Sequence, residues 1–69
     1  MTDDKAVELI ASEILRLENS IEHLLRSNVE MVEEMKTDSD PIYPTSIAEN
    51  EVLVQKQRRR IEELKRRLK

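Results

Sequence analysis

The chain holds few side chains of the types that catalyse reactions, and their spacing does not bring them together. His23 is the only histidine and follows Glu22, and there is no cysteine. A histidine acts as a general base when a nucleophile is held beside it, and no Ser, Cys or second His is spaced to form such a set. Glu33 and Glu34 are adjacent, so on a helix they point to different sides. The sequence therefore predicts no catalytic residue and no enzyme.

Metal, cofactor and nucleic-acid sites also lack their usual residues. A single histidine without cysteine does not supply the common zinc ligand sets, and a chain without glycine has no phosphate-binding loop. Residues 55–69, QKQRRRIEELKRRLK, resemble a DNA-binding basic region, but glutamates interrupt them and the whole chain has a net charge of −3. We predict no metal, no cofactor and no nucleic-acid partner.

The clearest periodic signal in the chain is an apolar heptad stripe, which is typical of a coiled-coil helix. Its only polar member is Asn28. The stripe comprises Val7, Ile10, Ile14, Leu17, Ile21, Leu24, Asn28, Met31 and Met35. It predicts a helix over about 4–36, with an N-cap between Thr2 and Asp4.

A second heptad stripe follows two prolines. Pro41 and Pro44 lack the amide hydrogen that a helix interior needs, so residues 37–45 are expected to form a turn. Ser46 and Glu49 match a capping box, which predicts a second helix over about 46–68. Its seam is formed by Ile47, Asn50, Val54, Gln57, Ile61, Leu64 and Leu68.

Two complementary seams predict an all-α fold, an antiparallel two-helix coiled-coil hairpin that occupies residues 1–69 as a single domain. Charge favours the same topology, because residues 1–36 carry nine acids and four bases, whereas residues 47–69 carry four acids and eight bases. In such a hairpin, two seam residues that face each other have residue numbers that add to a constant. Sums of 78 and 85 both fit this sequence. We favour 78, because it pairs Asn28 with Asn50 and lets two buried amides satisfy each other.

Apolar residues that the seam does not use indicate a protein-binding surface. We assign partner binding to Leu25, Val29, Val32, Met35, Ile42 and Tyr43. The alternative occupant is a second copy of the chain, in a homodimer built as a four-helix bundle. Thr37 and Ser39 lie in the same exposed corner, where turn-forming roles and phosphorylation are both open.

No apolar run is long enough to span a bilayer, and the N-terminus is acidic rather than basic as in a signal peptide. We therefore expect a soluble protein without a membrane partner, located in the cytoplasm, the nucleus or both.

Two polar elements within the helices resemble a known family. They are Ile21, Leu24, Arg26, Ser27 and Asn28 in the first helix and Glu49, Asn50 and Glu51 in the second. With the surrounding runs LENSIEHLLRSN and SIAENEVLV, the chain resembles the fungal ATPase-dedicated proteasome assembly chaperones, first catalogued as a translation-machinery-associated protein. It departs from their pattern in its compact corner and in ending just after the second helix.

This resemblance implies a function that the heptads alone do not specify. It implies a non-enzymatic assembly chaperone that binds the N-terminal coiled-coil region of one proteasome regulatory-particle ATPase subunit. The chaperone would promote the pairing of that subunit in the base. The alternative function is a self-associating coiled-coil scaffold or adaptor protein.

Overall fold

A computed structural model of the protein describes residues 3–68, which form two α-helices joined by a short corner. Helix α1 spans Asp4–Glu34 and helix α2 spans Ile42–Arg67, and no strand occurs within residues 3–68. The helices lie antiparallel in a rod whose Cα extents are 56 × 14 × 13 Å. The predicted all-α, two-helix hairpin is confirmed.

Helix α1 is closed at both ends by local hydrogen bonds. Asp3 is its N-cap, and the Asp3 carboxylate accepts a hydrogen bond from the Lys5 amide at 3.2 Å. Thr2, which shared the predicted N-cap position, lies outside the described residues. The helix ends at Glu34, two residues before the predicted end, and the Glu34 carbonyl accepts from the Asp38 amide at 2.9 Å and from the Thr37 hydroxyl at 3.3 Å.

Helix α2 begins at Ile42, four residues before the predicted start at Ser46. The Asp40 carboxylate accepts a hydrogen bond from the Ile42 amide at 2.9 Å, and Pro41 already has helical backbone angles. A proline is tolerated in the first turn because the amide hydrogens there have no partner within the helix. The predicted Ser46–Glu49 capping box is therefore corrected, since Ser46 lies one turn inside the helix and is half-buried.

The hydrophobic core is concentrated at the open end of the hairpin, away from the corner. Ile14, Leu17, Ile61 and Leu64 form one buried cluster, against which Ile10 and Ile21 pack. Val54 is also buried, at 4% exposure, but it is not part of this cluster. With partner numbers that sum to 78, Leu17 lies opposite Ile61 and Ile14 opposite Leu64.

Two polar layers interrupt the apolar seam. In the first, the Asn50 side-chain amide donates a hydrogen bond to the side-chain oxygen of Asn28, Oδ1, at 2.9 Å, in a partly buried position. This contact belongs to the alignment with partner sum 78. In the second, Gln57 lies opposite Ile21, and its Oε1 is buried without a hydrogen-bond partner among the described residues. This layer separates Val54 from the main cluster.

The unpartnered Gln57 oxygen predicts that Gln57→Leu stabilises the hairpin. A buried polar atom without a partner costs about 1–3 kcal/mol, and leucine would remove that cost while adding apolar contact to Ile21. We expect the free energy of unfolding in urea to rise by roughly 1–3 kcal/mol. The matched control is Gln55→Leu, which makes the same change at an exposed position and should alter stability by less than about 0.5 kcal/mol.

The hydrogen bond between Asn28 and Asn50 gives a second prediction. Asn28→Leu alone leaves the Asn50 amide without its partner and should lower the free energy of unfolding by about 1 kcal/mol. Replacing both asparagines with leucine should raise stability above wild type but allow more than one alignment of the helices. Unfolding curves measure the first effect, and the number of amide resonances in an NMR spectrum measures the second. A single set of resonances for the double variant would show that this pair does not determine the register.

Candidate functional site

An open groove runs along one side of the hairpin, between the two helices. It has a volume of about 510 Å³, and Ile21 and Ile61 from the seam contribute apolar side chains to it. Its other lining residues are charged or polar: Glu18 from α1 and Gln55, Arg58, Arg59, Glu62 and Lys65 from α2. We call this side of the hairpin the groove side.

An uncovered apolar line continues along α1 on the groove side, towards the corner. Leu25 and Val32 follow Glu18 at intervals of seven residues, and Val29 lies one turn from each. Residues at this spacing share one side of a helix, so Leu25, Val29 and Val32 lie on the groove side. Their exposed fractions are 41%, 64% and 49%, and no other part of the described chain covers them. We call these three residues the apolar line.

The other residues assigned to partner binding lie elsewhere around the corner. Met35 follows the last residue of α1, and its partner in the sum of 78 is Tyr43, which is half-buried. Ile42, 59% exposed, precedes Ser46 by one turn and Leu53 by three, which places it on the opposite side of α2 from the groove. The six residues therefore do not form one surface. The apolar line lies on the groove side, Met35 and Tyr43 lie at the end of the seam, and Ile42 lies on the opposite side of α2.

The contribution of α2 to the groove side was missing from the sequence-based assignment. Arg58 and Lys65 line the groove at an interval of seven residues. Glu51 precedes Arg58 by seven residues, and with Ala48 it lines a second depression that shares Gln55 and Arg59 with the groove. The seven-residue spacing on α2 could have identified these residues, because residues seven apart lie on one side of α2 just as they do on α1. It was missed because only apolar residues were considered as candidates for partner binding.

Ion pairs within the hairpin are local. The four ion pairs of the described residues are Arg16–Glu13, Arg26–Glu22, Lys36–Glu33 and Arg60–Glu63, each between residues three or four apart. The hydrogen bond from Arg16 lowers the pKa of Glu13, and the charge of Arg60 on the other helix acts in the same direction. Attraction between the acidic and basic helices therefore acts through space, without a direct ion pair within residues 3–68.

The consequence is a strip of free positive charge on α2. Arg58, Arg59 and Lys65, which line the groove, make no ion pair with any described residue. Neither does Glu18 on the facing wall of the groove. The groove side thus carries Glu18 on α1, three basic residues and one acid, Glu62, on α2, and an apolar line nearer the corner.

The corner itself is held by acidic side chains. The Asp38 carboxylate accepts hydrogen bonds from the Asp40 amide at 3.0 Å and from the Tyr43 hydroxyl at 3.4 Å. The negative charge of Asp38 raises the pKa of Tyr43, and Glu34 and Asp40 contribute in the same direction. This network ties the first turn of α2 to the corner and fixes the position of the Tyr43 ring at the end of the seam.

Neither a metal site nor a membrane span is found among the described residues. Residues 3–68 contain no cluster of three or more His, Cys, Asp or Glu side chains placed to hold a metal ion. Neither of the helices described here is long and apolar enough to cross a membrane.

Comparison with known protein families gives a match over most of the chain. The model of a family described as the TMA17 helical domain, where TMA17 stands for translation machinery-associated 17, matches residues 3–69. No curated protein and no solved structure matches the chain. The match covers nearly the whole sequence, including both helices and the corner.

The Asp38–Tyr43 contact predicts how the tyrosine titrates. Asp38→Asn removes the nearest negative charge, which opposes formation of the phenolate, so the pKa of Tyr43 should fall towards its ordinary value. Because Tyr43 is the only tyrosine, ultraviolet absorbance against pH reports this group alone. The control is Glu33→Gln, which makes the same change in charge at a residue that does not act on Tyr43. An equal shift in both variants would contradict the local origin of the effect.

Proposed function

The chain belongs to the TMA17 helical-domain family, a proteasome assembly chaperone family, and from this premise we propose that it is a non-enzymatic assembly chaperone. Its partner in this proposal is the N-terminal coiled-coil region of a proteasome regulatory-particle ATPase subunit. The chain binds that region and promotes pairing of the subunit in the base. Such a role places it in the cytoplasm, the nucleus or both.

The observation that carries the proposal is the uncovered apolar line on the groove side. Leu25, Val29 and Val32 extend over about two turns of α1, beside a groove whose apolar residues come from the seam. An amphipathic helix binds such a surface by placing its own apolar residues, spaced three and four apart, against it. A helix of a coiled coil has this spacing throughout, so it fits as a third helix alongside the hairpin.

The geometry of a third helix also suggests how binding promotes pairing. A hairpin that contacts a helix through one side leaves the opposite side of that helix free. An ATPase coiled-coil helix held in this way keeps a straight, helical conformation and presents its remaining apolar stripe to the neighbouring subunit. The chaperone thus lowers the conformational entropy that the subunit loses when it pairs.

The second candidate function is a self-associating coiled-coil scaffold or adaptor. The same exposed residues favour it, because two hairpins that place their groove sides together would also cover the apolar line. The two candidates differ in what the chain needs for function: a foreign coiled coil in the first case, and only further copies of itself in the second.

Replacing the apolar line tests the proposed surface. Leu25→Glu combined with Val29→Glu should weaken binding to the ATPase coiled-coil segment by at least about a hundredfold, since both side chains would be buried in the complex. Helicity, measured by circular dichroism, should stay close to wild type because both positions are exposed in the hairpin. Binding is measured by titrating the chain into recombinant N-terminal segments of the individual ATPase subunits.

The matched control is Leu9→Glu combined with Leu53→Glu. These residues are 64% and 44% exposed but line neither depression and lie away from the groove side, so the same chemical change should leave binding intact. Equal loss of binding in both double variants would contradict the proposed surface. Failure of every ATPase segment to bind wild type would contradict the proposed function.

A further inference from the structure

The charges on the groove side complement those of a second copy of the same surface. We infer that, without its partner, the chain forms a symmetric dimer in which two groove sides face each other. In this dimer Glu18 of each copy pairs with Arg58 of the other. The inference uses the docking surface of the proposed function, but it does not depend on the identity of the foreign partner.

The geometry follows from a two-fold axis that runs parallel to the helices between the two hairpins. Rotation about this axis places α1 of one copy opposite α2 of the other, with both corners at the same end. The sum of 78 then determines which residues are level: Glu18 of one copy is level with Arg60 of the other. Arg58, on the groove side of α2, lies within about 3 Å of that level along the helix axis.

The helices that face each other in this arrangement have opposite net charges. Helix α1 has eight acids and three bases, a net charge of −5, and it would face an α2 helix with seven bases and four acids, a net charge of +3. Glu18 and Arg58 make no ion pair within their own chain, so both are free to pair across the dimer. Nearer the corner, the apolar line of each copy meets Ala48 of the other, with Glu51 as the charged exception.

The other two-fold arrangement with facing grooves is unfavourable. An axis perpendicular to the helices would place α1 opposite α1 of the second copy, so that two helices of net charge −5 would face each other. It would also place each corner beside the open end of the other hairpin and separate the two apolar lines. Charge and apolar contact therefore select the parallel axis.

Such a dimer has a consequence for the proposed function, because it covers the surface that the partner needs. The apolar line is then protected from non-specific contacts until a foreign coiled coil displaces the second copy. Partner binding and self-association compete for one site, and the hairpin binds one occupant at a time.

Charge reversal tests the dimer with the chain alone. Wild type should sediment as a concentration-dependent dimer, whereas Glu18→Arg and Arg58→Glu should each weaken dimerisation about tenfold or more, because each change places two like-charged pairs in the interface. An equimolar mixture of these two variants should associate again. In the mixed dimer both contacts between residues 18 and 58 join opposite charges, so its dissociation constant should return close to that of wild type.

The control pair is Glu30→Arg and Arg67→Glu, which reverse the same charges at exposed positions away from the groove side. Each should dimerise as wild type does. A monomeric wild type would overturn the inference, as would single variants that dimerise normally or a mixture that fails to associate. Sedimentation of the chain alone does not decide whether an ATPase segment binds, so the failure of the dimer and the failure of the proposed function are distinguishable.

Discussion

The alignment of the two helices is the constraint on which every other feature of the hairpin depends. In a seam with a period of seven residues, a shift of one heptad keeps apolar residues opposite apolar residues, so hydrophobic contact alone selects the register weakly. The hydrogen bond between Asn50 and Asn28 exists in one alignment only. That alignment brings Glu18, Ile21, Arg58 and Ile61 to one groove and leaves Leu25 and Val29 uncovered beside it.

Residue spacing was sufficient to predict the hairpin. It left pairing sums of 78 and 85 open, and the cost of burying an amide without a partner favoured 78, the sum to which the Asn28–Asn50 hydrogen bond belongs. The sequence was not sufficient to predict the start of α2. Two N-terminal signals compete there, the Ser46–Glu49 capping box and Asp40 followed by Pro41, and the second begins the helix one turn earlier. The capping box is the more specific sequence motif. A helix that begins after Asp40 is one turn longer, however, and so gains backbone hydrogen bonds.

The candidate site was predicted in part for a related reason. Helix periodicity identifies which residues share a side, and it places Leu25, Val29 and Val32 together on α1, where all three are exposed. It does not give the relative position of residues from two helices near a corner, where the backbone path depends on individual hydrogen bonds. Ile42 was grouped with the apolar line on the assumption that it belongs to a loop, whereas it is the first residue of α2 and lies on the other side.

The small core explains why the docking surface and the stability of the hairpin are linked. Only five side chains of the described residues are buried, and four of them form the cluster at the open end. The corner half is held mainly by Val54, the Asn28–Asn50 bond and the acidic network around Tyr43. A helix bound against the apolar line would add apolar contact in this less packed half. A partner that binds only the folded hairpin also shifts the folding equilibrium towards the folded state. An ATPase coiled coil or a second copy of the chain, bound on the groove side, would therefore each stabilise the hairpin.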